Sequence, residues 1–223
     1  MTTKKVLLIT ISINLAFIIL GLIIGNPPEQ YFSKEGTYIT WVSFIQLLVI
    51  ANLSLKIFKT IKNNSSESIF KSPALIWGII ALGFFYLATD EVIRIHENLD
   101  NIIHRSFHIT KSAISDRLDD AIVAFYGLIG IFIMFLFKNE LLNYKKTLPL
   151  FMIGFLFFFL MTIADMSANR QDVVKILTSS RESRMLLFST LKVMEEGFKL
   201  FAEALFISAF FNCLTIARNK TIK

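Results

Sequence analysis

Long runs of apolar residues without charge constrain this chain more than any other feature it has. A run of about 17 to 25 such residues, coiled at about 1.5 Å per residue, matches a hydrocarbon layer roughly 30 Å thick. Six runs fit or approach that length, at about 6–24, 38–58, 73–89, 120–137, 149–164 and 191–217. Each is expected to be a helix crossing the membrane. The expected fold is all-α: a polytopic transmembrane bundle of six spans, forming one integral membrane domain over residues 1–223. Composition agrees, with 54% hydrophobic residues and 23 Phe, where soluble domains are about 45 to 50% apolar.

The first run follows Lys4 and Lys5, as a secretory signal would. It is longer than the usual signal core of about 7 to 15 residues, and it ends in Gly25-Asn26-Pro27-Pro28 with no small-x-small cleavage site. It is expected to remain as a span. Ser72-Pro73 suits the start of the third helix, with Ser as N-cap and Pro in the first helical position. No Gly or Pro interrupts the chain from Asp90 to Ser106, which predicts that this helix continues out of the membrane through Arg105. The interior polar residues Asn14, Gln46 and Asn52 are read as hydrogen-bonding glue between helices.

Orientation follows from the basic residues, which gather on the cytoplasmic side of a membrane. With both termini cytoplasmic, the inner segments carry Lys4, Lys5, Lys56, Lys59, Lys62, Lys71, Lys138, Lys145, Lys146, Arg218, Lys220 and Lys223. The cell membrane is the expected location. The same distribution speaks against nucleic acid as a partner despite the net charge of +6, since the basic residues lie between apolar runs and form no single patch. The lone Cys213 excludes an intrachain disulfide and a thiolate-rich metal site.

Chemistry is expected where the spans end. Asp90, Asp120, Asp165 and Glu196 each start or finish a different span at the outer edge of the hydrocarbon. Lys192, Glu196, Lys199 and Glu203 form one stripe of the last span, with Lys199 the expected partner of Glu203 four residues on. A second stripe, Asp90, Arg94, Glu97, Asn101 and His104, continues to His108 if the third helix is unbroken. All three histidines, His96, His104 and His108, lie in this segment, and His104 with His108 has the i, i+4 spacing of paired metal ligands.

Acids from several helices with a few histidines follow the logic of carboxylate-rich metal sites in helical bundles. The pattern departs from the di-metal proteins, because no Glu-x-x-His pair occurs, and three histidines are too few for a histidine-box enzyme. Glu195-Glu196-x-x-Lys199 is similar to the E-E-x-x-K motif of some intramembrane metalloproteases over those five residues, but those families place histidines after it and none follows Glu196 here. Their activity is therefore not carried over. No Gly-x-Ser-x-Gly elbow or glycine-rich phosphate loop is present.

The expected site has Asp90, His96, Glu97, His104, Asp120, Asp165 and Glu196 as ligands of a divalent metal, Zn, Mn or Fe by the oxygen and imidazole donor set. Glu91, Glu195 and Glu196 are the expected catalytic carboxylates, in a hydrolase acting on lipid or another membrane substrate. The alternatives are a cation or proton transport protein using the same acidic ring, and a non-catalytic membrane scaffold subunit. Depth separates the first two, since a pathway needs polar groups below Glu203 and the last span offers only Ser208, Asn212 and Thr215 there.

Overall fold

The computed structural model describes residues 1–34, 36–64, 66, 68–107, 118–168 and 180–221. Among them the chain is helical with no strand. The helices are α1 (Thr3–Ile24), the short α2 (Gln30–Ser33), α3 (Tyr38–Lys62), α4 (Leu75–Ile93), α5 (Ile95–Ser106), α6 (Leu118–Leu136), the short α7 (Lys138–Leu142), α8 (Leu148–Ala168) and α9 (Arg181–Thr221). Five are long and apolar enough to cross a membrane: α1, α3, α4, α8 and α9. In α6 the apolar stretch is shorter, Phe125–Leu136.

The 41 residues of α9 extend about 60 Å, twice the hydrocarbon thickness. Its apolar part is the centre of the bundle. Every residue from Ala202 to Phe210 is buried, so this stretch has no lipid-facing stripe. Ala202, Ala204, Ser208 and Ala209 keep its surface low and let neighbouring helices approach. By contrast α1 exposes Leu8, Ile9, Ile13 and Ile19, and α8 exposes Met152, Ile153, Leu156 and Phe159, as lipid-facing helices should.

Specific contacts fix the directions. Thr3 Oγ1 donates to Asn212 Oδ1 at 3.3 Å and Asn14 Nδ2 to the Leu200 carbonyl at 2.7 Å, so α1 runs antiparallel to α9. Phe151 meets Phe210 at 5.1 Å and Lys192 reaches Asp165, so α8 is antiparallel too. Asn14 and Gln46 exchange two hydrogen bonds, at 3.3 and 2.7 Å, and join α1 to α3. These two residues are interhelical glue as expected, whereas Asn52 is exposed on the outside of α3.

One end of the bundle holds Thr3, Trp77, Tyr144 and Cys213 with the lysines around them, and the other holds Asp90, Glu91, Asp165 and Glu196. Between them lies an aromatic stack. Phe206 packs on Phe84 and Phe155 at 6.2 and 5.1 Å, Phe210 on Phe84 and Trp77 at 5.5 and 6.2 Å, and Trp77 on Tyr144 at 4.9 Å.

Two local expectations change. Helix α4 begins at Leu75, two residues late, because Ser72 caps a turn: its Oγ accepts from the Ala74 N–H at 3.2 Å and its carbonyl from Leu75 at 3.0 Å. The expected continuous helix from Asp90 to Arg105 is broken at Arg94, which takes the left-handed conformation with φ 58° and ψ 54°. The break is repaid by capping. The Asp90 side chain turns onto the start of α5, accepting from the His96 N–H at 2.9 Å, where a carboxylate meets the positive end of the helix. Asn98 Nδ2 donates to the Ile93 carbonyl at 2.9 Å, satisfying a group the break leaves open.

Candidate functional site

Three helices bring ionisable side chains together at the acidic end. Helix α9 supplies Lys192, Glu195, Glu196, Lys199 and Glu203, which recur every three or four residues and so lie along one side of it. Helix α4 supplies Glu91 from its last turn, and α8 supplies Asp165. Lys199 Nζ lies 2.7 Å from Glu91 and 2.8 Å from Glu196. About two turns further out, Lys192 Nζ lies 3.1 Å from Asp165 and 2.8 Å from Glu195. All six side chains are under a third exposed, from 13% for Lys192 to 29% for Asp165. Two ammonium groups therefore hold four carboxylates and tie α9 to two other helices. The outermost tie is uncharged on one side, with Ser189 Oγ donating to Glu29 at 2.8 Å.

Glu203 lies deepest. Its neighbours on α9 are apolar, it is 4% exposed, and Ser43 of α3 donates to its Oε1 at 2.6 Å. The expected Lys199–Glu203 pair is not what forms. Helical side chains lean toward the N-terminus, so Lys199 reaches Glu196 one turn back, and its remaining reach goes to Glu91. Two carboxylates, Glu91 and Glu196, thus share one ammonium group, and Glu203 is left outside the pairs.

Asp90 does not join this network. Its Oδ2 pairs with His96 Nδ1 at 2.8 Å while Oδ1 caps α5, so Asp90 and His96 form a separate unit beside Glu91. His104 is buried and pairs with Asp100, Nδ1 to Oδ1, at 2.9 Å. The break at Arg94 removes the single stripe from Asp90 to His104, and only the part within α5 keeps a common face. The side chains of Glu97 and Asp120, and all of His108, lie outside the described residues. Among the described residues no group of three or more His, Cys, Asp or Glu is gathered for a metal ion.

Sequence reasoning passed over Ser43 and Asp100, whereas Lys192 and Lys199 were already on the charged stripe of the last span. Ser43 carried no signal, being one serine in an apolar run. Lys192 did carry one, since a lysine so near a span boundary with an acid three residues on needs partners.

The chain belongs to the DUF8692 family. Its model, described as a domain of unknown function, matches residues 12–214, which run from the middle of α1 to within a few residues of the end of α9. Every residue of the acidic network falls inside that match. No curated protein and no solved structure matches the chain.

Proposed function

We propose that this chain is a six-span protein of the cell membrane with both termini cytoplasmic, and that its acidic network is the outward-facing site of a divalent-metal-dependent hydrolase acting on a lipid or another membrane-borne substrate. Six crossings are supported by the path between α4 and α8. The chain leaves α4 at the acidic end and reaches Tyr144 beside Trp77 at the other end, and α6, about 28 Å long, is the helix available to make that crossing. The lysines concentrated at the end holding both chain termini support the orientation.

The observation that carries the enzymatic reading is one-sidedness. Ionisable side chains run from Lys192 to Glu203 and stop at Phe206 and Phe210, which close the bundle below. A conduit needs polar groups to continue beyond that point, whereas a site reached from one face does not. In this reading Glu91 and Glu196, gathered on one ammonium in the structure, are carboxylates that a divalent cation would share, and Glu195 is the general base. Asp90 grips His96 Nδ1 as the outer carboxylates of metal centres grip their histidines, which orients the ring. Such a cation would polarise the scissile group and lower the pKa of a bound water.

The test is the metal content of purified wild type and of Glu196→Ala, with product release from membrane lipid extract measured on both. The expected result is stoichiometric metal and hydrolysis in wild type, both lost in the variant. Wild type purified without chelators and free of divalent metal would overturn the reading.

A further inference from the structure

One carboxyl group has no part in the ion pairs above. Glu203 Oε1 accepts from Ser43, while Oε2 is buried and has no hydrogen-bond partner among the described residues. Every side chain along α9 from Leu200 to Phe210 is buried or nearly so, and Glu203 lies about 4 to 5 Å inside the start of the apolar part at Leu200. An ionised carboxylate in such a place needs a counter-charge or several donors, and a neutral carboxylic acid costs far less to bury.

Among the described residues, the ammonium group on its own face of α9 is already engaged. On α9 itself Lys199 is held by Glu91 and Glu196. Helix α4 adds Glu91, a second negative charge. Helix α3 presents Ser43, and its one titratable group at this end, Tyr38, donates to the Phe17 carbonyl at 3.0 Å. Helix α1 presents Asn14, bonded to Gln46 and to the Leu200 carbonyl. On α8, Asp165 is held by Lys192 about three turns further out. A further negative charge on Glu203 would make the cluster three carboxylates on one ammonium in a largely dehydrated site.

We propose that Glu203 is a membrane-embedded proton-binding site, with the proton on Oε2 and the carbonyl oxygen Oε1 held by Ser43. The proton comes from water at the acidic end and returns there, and no other bond changes. Glu91, Lys199 and Glu196 stand between Glu203 and that water. The site does not depend on the metal reading: Glu203 keeps its proton whether or not the outer carboxylates bind a cation.

The experiment is infrared difference spectroscopy on the full chain in lipid nanodiscs at neutral pH. Wild type is expected to show the C=O stretch of a protonated carboxyl, shifted in D2O. Glu203→Gln should lose that band, and Ser43→Ala should retain it at higher wavenumber, because the hydrogen bond to the carbonyl oxygen is gone. The same protein treated with a hydrophobic carbodiimide, which adds to protonated carboxyls inside membranes, should carry the adduct on the peptide containing Glu203. That measurement uses wild type alone, so it decides the matter even if Glu203→Gln fails to fold. An absent band, a band unchanged in Glu203→Gln, or carbodiimide confined to other carboxyls would overturn the site. Loss of metal on Glu196→Ala with the band retained separates this site from the outer network.

Discussion

Lys199 neutralises carboxylates from two helices, and both lie in a site less than a fifth exposed. Removing one member of a buried ionic group strands the rest, at a cost of about 3 to 5 kcal/mol. Lys199→Met is therefore expected to lower the melting temperature in detergent strongly, and the double variant Lys199→Met with Glu91→Gln should recover part of the loss. Equal melting of Lys199→Met and wild type would show that the pairs contribute nothing to stability. Asp90 acts differently, through backbone. Its loss in Asp90→Ala frees the first N–H groups of α5, an effect of about 1 kcal/mol for a helix cap. Amide exchange should quicken across His96 to Asn98 and stay unchanged in the middle of α4. Uniform exchange across both helices would contradict the capping role.

Helices were legible to the extent that lipid dictates them. The ends of α1 and α3 fall close to where charge and Gly-Pro punctuation put them, since an apolar run has only one low-cost state in a membrane. Breaks made by tertiary contacts were not legible. Nothing in the string from Asp90 to Ser106 marks Arg94 as a stop, because the stop depends on a carboxylate four residues earlier folding over onto the next helix. The start of α9 was also hidden, since its polar first part is helical without being apolar and shows no boundary at Leu191. In the candidate site, the carboxylate levels could be read from span ends, but the choice of partners could not. Lys199 has Glu196 and Glu203 at permitted spacings, and only the tilt of its side chain and the position of Glu91 decide between them. At the level of elements, the close approach of α8 to the Phe206 ring of α9 needs a glycine at 154. A Cβ at Gly154 would fall 2.6 Å from the Phe206 ring, whereas Gly130 of α6 faces open space. Gly154→Leu should therefore lower the melting temperature well below that of Gly130→Leu. Similar melting of the two variants would mean that α8 and α9 do not pack this closely.

The whole molecule is polar at one end of its centre and apolar at the other, and that asymmetry has a direction in the membrane. Thr3 bonded to Asn212 puts the start of α1 beside the last turns of α9, so these two helix ends share a side of the bundle. Lysines crowd that side, at Lys4, Lys5, Lys59, Lys62, Lys145 and Lys146, which is the ground on which we propose that it faces the cytoplasm. If α6 crosses, every loop alternates sides accordingly, and the acidic network faces out. Cysteine substitutions read this directly, because the native Cys213 is fully buried and should stay silent. In intact cells a membrane-impermeant thiol reagent should label Lys34→Cys and Arg181→Cys. It should label Lys62→Cys and Lys145→Cys only after permeabilisation. The decisive position is Lys145→Cys: with α6 crossing it lies with Lys62 inside, and without that crossing it would lie with Arg181 outside. Labelling of Lys145→Cys in intact cells would remove the sixth span, and with it the outward direction of the acidic site.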